Sequence, residues 1–204
     1  MEINLLNTEV FAVIVPSSPS ACDTMNLRRN LQFVDCEMNI FPPSAMLKDR
    51  RILKLDFPSI LARRCFSFGS SRASDYQLPK SEDVSPQQFI IFFDLRDLKL
   101  YFKDTSRNGT WVTNDHSSTE THMWKTSLLA SSSMHIRFGG DNRFDFHLFL
   151  NQPPANSKFH AHLSNYVSSI QRTPAISLSQ SAPATSHNGD SNDKGAQQAV
   201  VGQC

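Results

Sequence analysis

Between Ile52 and Leu150 apolar residues recur at every second position, run after run. ILKLDF sets Leu53, Leu55 and Phe57 on one side with Lys54 and Asp56 opposite, and RCFSFG does the same with Phe66 and Phe68. LKLYFK alternates Leu98, Leu100 and Phe102; RFDFHLFL, with Phe144, Phe146, Leu148 and Leu150, is the cleanest alternation in the chain. FIIFF (89–93) is continuously apolar, the pattern of a mid-sheet strand covered on both faces. EVFAVIV (9–15) is an earlier strand closed by Pro16, and HMWKTSLL and MHIRF supply others. No stretch in this region has a helical period. Short strands at roughly 8 to 12 residue spacing, with turn signals between them, predict an all-β fold, an antiparallel β-sandwich.

The pattern also divides the chain. Residues 1–9 precede the first strand, and 10–150 form the sandwich. Within it, 17–50 is an irregular insertion, with NLRRNLQF as a short helix broken by the prolines after Phe41. Composition changes at Asn151-Gln152-Pro153-Pro154, and 151–204 reads as a polar, mostly disordered tail with a weak amphipathic helix over 156–172. Beyond Thr173 large apolar residues are too few to offset the entropy of ordering.

Composition narrows the function. Fifteen Phe, most of them between Phe33 and Phe149, require a substantial aromatic core. Twenty basic and nineteen acidic residues nearly cancel, so direct nucleic-acid binding has no bulk electrostatic support. No apolar run reaches the roughly 18 residues of a membrane span, and MEINLLNTEV lacks the positive start of a secretory signal. Cys22, Cys36, Cys65 and Cys204 are scattered without C-x-x-C spacing, as in an intracellular protein with reduced thiols. The phosphate-loop, nucleophile-elbow, H-E-x-x-H and protein-kinase signatures are all missing. His160 and His162 lie two apart but read as solvated surface residues, since a metal site needs further ligands. The expectation is a non-enzyme with no cofactor.

The densest chemistry lies in KDTSRNGTWVTN (103–114). Asn108-Gly109 is a strong turn signal, yet Asp104, Thr105, Ser106, Arg107, Asn108 and Thr110 crowd it with hydrogen-bonding groups. FSFGSSRASDYQLP (66–79), DVSPQQFIIF (83–92) and LYFKDTSRNGTWV (100–112) resemble, in order, interval and strand context, the three successive motifs of the forkhead-associated (FHA) domain. The long first insertion is similar to that of filamentous-fungal FHA modules often fused to kinases.

The resemblance implies an eleven-stranded sandwich that binds phosphothreonine peptides through loops at one end. Ser85 then matches the serine whose hydroxyl donates to phosphate, and Asn108 the asparagine that holds the peptide backbone. Gly69, Asp75, Gln88, Asp104, Ser106, Gly109 and Thr110 fall at loop-bracing positions, Gly109 permitting a positive-φ turn.

Three departures stand out. Ser70 replaces the usual phosphate-clamping arginine, Gln88 the usual histidine, and Pro86 removes a backbone donor after Ser85. Losing a charged pair from a desolvated site costs about 2 to 5 kcal/mol, so a compensating guanidinium is needed. Arg72 and Arg107 are the two candidates. The implied partner is a phosphothreonine-containing protein or peptide in intracellular signalling, with the nucleus as the compartment the family suggests. Thr173, followed by Pro174, is a candidate self-ligand. The alternatives are an FHA module that binds partners independently of phosphate and a truncated relative of an FHA–kinase fusion.

Overall fold

A computed structural model of the chain describes residues 5, 7–36, 51–94, 97, 99–114, 121–123, 126–129, 133–151 and 158–172. Leu98, Thr173 and the rest of the tail beyond Arg172 therefore lie outside the described residues, as does 37–50 of the insertion. Twelve strands are present among those described, one more than the resemblance implies: β1 (Val10–Pro16), β2 (Val34–Cys36), β3 (Arg51–Asp56), β4 (Cys65–Gly69), β5 (Tyr76–Gln77), β6 (Phe89–Asp94), β7 (Lys99–Asp104), β8 (Thr110–Asn114), β9 (Thr121–Met123), β10 (Thr126–Leu128), β11 (Ser133–Phe138) and β12 (Phe144–Leu150).

They form a seven-stranded sheet in the order β2-β3-β1-β12-β11-β8-β9 and a five-stranded sheet in the order β10-β7-β6-β4-β5. Every pairing is antiparallel except the two-residue contact of β4 with β5.

The period-2 patterns decide what fills the space between the sheets. Phe144, Phe146 and Leu148 of β12 are buried together with Phe66 and Phe68 of β4, Phe89 and Ile91 of β6 and Phe102 of β7. The rings stack in series: Phe68 lies 4.4 Å from Phe89, and Phe89 lies 5.0 Å from Phe102. β1 is buried along its whole length. Its alternate residues Val13 and Val15 join Leu5, Ile52 and Phe149 in a second cluster on the other face of the seven-stranded sheet. Buried Asn151 ties the N-terminal segment down there, accepting from the Leu5 N–H and donating to the Val10 carbonyl. β6 is the central strand of its sheet, but burial is complete only over its first three residues and lessens from Phe92 to Asp94.

Three α-helices accompany the sheets among the described residues: α1 (Pro19–Thr24), α2 (Phe57–Arg63) and α3 (Lys158–Arg172). α2 corrects the reading of a helix-free strand region. Asp56 caps it, accepting from the Ser59 N–H at 2.8 Å, a proline occupies its first turn, and Arg64 ends it at φ 67°. Those signals were present in DFPS, but Phe57 also continued the alternation of ILKLDF. It serves instead as the first residue of the helix, with its ring buried.

α3 is more than a weak helix. Phe159, Leu163, Tyr166, Val167 and Ile170 recur on one face and pack onto the core, with Phe159 5.2 Å from Phe57 and Tyr166 5.6 Å from Phe93. Tertiary burial of that stripe, worth about 1.5 to 3 kcal/mol per fully buried large side chain, supports a helix that propensity alone leaves marginal. His162 stacks on Phe57 at 6.3 Å rather than standing free in solvent. No helix among the described residues is long and apolar enough to cross a membrane.

The described part of the insertion is ordered rather than irregular. Ser18 caps α1, a 3-10 turn spans Leu31–Phe33, and β2 joins the edge of the seven-stranded sheet. The fixing residue is Asn30, fully buried. Its amide donates to the carbonyls of Thr24 (2.7 Å) and Gln77 (2.8 Å) and accepts from the Gln77 N–H at 2.7 Å. Phe33 completes the attachment with its ring 4.5 Å from that of Tyr76.

Candidate functional site

Three connections meet at one end of the five-stranded sheet: β4–β5 (70–75), β5–β6 (78–88) and β7–β8 (105–109). Backbone hydrogen bonds stitch them together. Ser70 N–H donates to the Ser85 carbonyl and Ser71 N–H to that of Pro86, both at 3.0 Å, while Thr105 N–H donates to the Gln88 carbonyl at 3.1 Å.

Gly69 makes the first contact feasible by its missing side chain. A Cβ there would lie 2.0 Å from the Pro86 carbonyl oxygen, a backbone atom that cannot swing away. Gly109 turns the third connection at φ 84°.

Asp104 organises the third loop from inside. It is 6% exposed; its carboxylate accepts from Ser106 N–H (2.9 Å), Thr110 N–H (3.0 Å) and the Thr110 hydroxyl (3.3 Å). Gln88, fully buried, couples that loop to the second. Its Oε1 accepts from Ser85 N–H at 2.9 Å, and its Nε2 donates to the Thr110 hydroxyl at 3.1 Å. A carboxamide makes this link with one donor and one acceptor.

Ser85 is also buried, 3% exposed, and its hydroxyl oxygen accepts from the Arg107 N–H at 2.9 Å. The hydroxyl proton remains available to donate. Ser70 behaves differently: its hydroxyl is directed to the carbonyls of Val84 (3.3 Å) and Ser85 (3.2 Å), back into the loop. Asp75 lies away from the convergence of the second and third loops. It accepts from Ser67 N–H (2.9 Å) and the Ser67 hydroxyl (2.7 Å) and pairs with Arg63 at 2.9 Å. Ser106 Oγ is buried without a partner.

Arg107 and Asn108 are exposed at the tip of the third loop. Arg72 is exposed on the first loop and lines an open depression with Arg28, Arg29, Gln32 and Gln77. The guanidiniums of Arg72 and Arg107 have no hydrogen-bond or ion-pair partner among the described residues. Sequence reasoning missed Gln77, which follows the first loop directly, and Arg28 and Arg29, which the tie of Asn30 to Gln77 brings there. Tyr76 belongs to the core; its buried phenol donates to the Lys54 carbonyl and is held neutral, its pKa well above the usual value because of burial and the nearby Asp56 and Asp75 carboxylates. No group of three or more His, Cys, Asp or Glu side chains among the described residues is placed to hold a metal ion.

The architecture is thus an antiparallel β-sandwich with a hydrogen-bonded loop cluster at one end. Residues 66–139 match the family model of the FHA domain. A search of curated proteins gave no match.

Solved structures similar to the chain include an engineered FHA with Myc-pTBD peptide, at 19% identity, covering 76% of this chain and 98% of that one with a TM-score of 0.44. The N-terminal FHA domain of S. cerevisiae Rad53 in complex with a phosphothreonine peptide is 22% identical over 58% of this chain and 91% of that one, with a TM-score of 0.38. The FHA domain of CT664 from Chlamydia trachomatis is 16% identical over 68% and 96%, with a TM-score of 0.39. All three similarities are distant. The particular likeness to fungal kinase-fused modules is not shown by them.

Proposed function

We propose that the chain is a non-catalytic module that binds phosphothreonine-containing peptides in intracellular signalling. The observation that carries this reading is the 2.9 Å contact of Arg107 N–H with Ser85 Oγ. It holds one hydroxyl with its proton free to donate, between two loops and against the backbone of an exposed arginine whose guanidinium has no partner among the described residues. A phosphate carries about −1.5 to −2 charge and three acceptor oxygens, and that pairing suits it.

In this reading the Ser85 hydroxyl donates to phosphate, Arg107 supplies the guanidinium that Ser70 does not, and exposed Asn108 holds the peptide backbone. Gln88, Asp104, Gly69, Gly109 and Thr110 keep the three loops in register.

The test is a fluorescence titration of phosphothreonine peptides and their unphosphorylated twins, with S85A, N108A, R72A and R107A measured separately. Tighter binding of the phosphorylated twin, reduced about tenfold or more by R107A, is the expected result. Equal affinity within each pair removes the reading.

A second reading, partner binding independent of phosphate, is favoured by one observation: the Ser70 hydroxyl is directed to backbone carbonyls and the first loop offers no charge at that position. It predicts equal affinities.

A further inference from the structure

The depression lined by Arg28, Arg29, Arg72, Gln32 and Gln77 is not used by the phosphothreonine reading above. We propose that it is a second anion site, which holds another phosphorylated side chain of the same peptide; this rests on that reading for the first phosphate.

Three arginines line one concavity whose lining contains no carboxylate. None of their guanidiniums has a hydrogen-bond or ion-pair partner among the described residues. Like charges gathered without counter-charge raise a positive potential that a concave surface focuses. A dianionic phosphate neutralises more of it than a carboxylate does, and guanidinium forks match its oxygens two at a time.

The site is also built rather than incidental. Arg28 and Arg29 lie on the turn that ends at Asn30, where Asn30 N–H donates to the Leu27 carbonyl at 2.8 Å. Fully buried Asn30 then clamps that turn to both backbone groups of Gln77, and the Phe33 ring packs 4.5 Å from that of Tyr76. The two arginines are thereby carried on a fixed support instead of a free loop, so little ordering entropy opposes binding.

Proximity names the occupant. Arg72 lies two residues past Ser70, whose N–H is bonded to the Ser85 carbonyl. Two residues of chain span at most about 7 Å. An extended peptide rising about 3.3 Å per residue therefore reaches from one phosphate site to the other in roughly two to five residues. A single peptide bearing two phosphates at that spacing fits both.

The experiment compares singly phosphorylated peptides with doubly phosphorylated ones at spacings of two to five residues on either side, and with glutamate in the second place. Wild type and R28A/R29A, both at exposed positions, are titrated after thermal melts confirm folding. Arginine Nε–H signals of Arg28, Arg29 and Arg72 are followed by NMR. At one spacing the second phosphate is expected to tighten binding about tenfold, the glutamate less, with the three arginine signals shifting. The ratio of doubly to singly phosphorylated affinity is expected to fall to about one in R28A/R29A. No gain at any spacing, or a gain that survives in R28A/R29A, overturns the second site while leaving the Ser85 reading intact. If singly phosphorylated peptides bind no better than their unphosphorylated twins, the Ser85 reading fails instead. The arginine signals then decide the depression alone: unmoved by the doubly phosphorylated peptides, they overturn it, and moved at one spacing, they sustain it.

Discussion

The two ends of β6 are held by opposite kinds of force. At its start, where Phe89 pairs with Asp104, buried polar groups link three loops: the Asp104 carboxylate, the Gln88 carboxamide and the Ser85 hydroxyl. At its finish, where Asp94 pairs with Lys99, the neighbouring support is aromatic. Phe93 lies 4.9 Å from Phe11 and 5.6 Å from Tyr166, with Phe57 and Phe159 completing the cluster under α3.

Hydrogen bonds are directional and expensive to leave half-made, so the first end fixes positions to a fraction of an ångström. Apolar burial is non-directional, so the second end supplies stability with less geometric demand. The binding proposed for the loops needs the former, and a docked helix needs only the latter.

Substitutions at the two ends sharpen or break that contrast. The largest effect is expected from Gly69→Ala, because the new Cβ meets a backbone oxygen. A loss of about 3 kcal/mol or more, together with loss of phosphopeptide binding, is anticipated in urea melts and titrations. Wild-type stability in this variant would mean that the loop end is soft and the contrast wrong.

Next comes Phe159→Ala at the aromatic end, with about 3 kcal/mol lost and a Tm lower by roughly 6 to 12 °C. Peptide affinity should stay at the wild-type value, and a parallel fall would show that the two ends are coupled. Gln88→Ala strands the buried Ser85 N–H and removes the link to the Thr110 hydroxyl, which keeps its bond to Asp104, for about 2 kcal/mol. Its signature is the reverse of Phe159→Ala: a modest drop in the melt with about a tenfold weaker phosphopeptide, by the same energy scale.

A smaller effect is expected in alkali. Burial, with a contribution from Cys65, pushes the Tyr166 phenol up to about 12 from 10.0. The folded state therefore favours the neutral phenol. Its stabilising contribution is whole below pH 10 and is lost as pH rises from 10 to 12. Tyr166→Phe should flatten part of the alkaline fall in denaturation midpoint, with Tyr76, raised in the same direction by burial, contributing further. The smallest change is expected from Ser106→Ala, which removes an unpartnered buried hydroxyl and should stay within about 0.5 kcal/mol of wild type. A clear loss there would reveal a bond that the loop end depends on.

Much of this molecule can be read in one dimension. Alternating runs such as RFDFHLFL declare strands because a pleated backbone turns every second side chain to the same face, and those residues form the intersheet core. The order and spacing of Gly69, Ser85, Asp104, Asn108 and Gly109 pointed to the loop cluster, and of these Asp104 and Gly109 act through short-range turn geometry.

Other features depend on partners far away in sequence. The Asn30 side chain reaches Gln77 across 47 positions, and the Arg107 N–H reaches Ser85 across 22. No local pattern encodes such pairs. The sequence by itself determined the strands, the turns and the residue types offered at the loops. Only the tertiary structure decided that Ser70 turns inward, that α3 is held by the core, and that Arg28 and Arg29 stand beside Arg72, because each depends on which surfaces meet when the two sheets close.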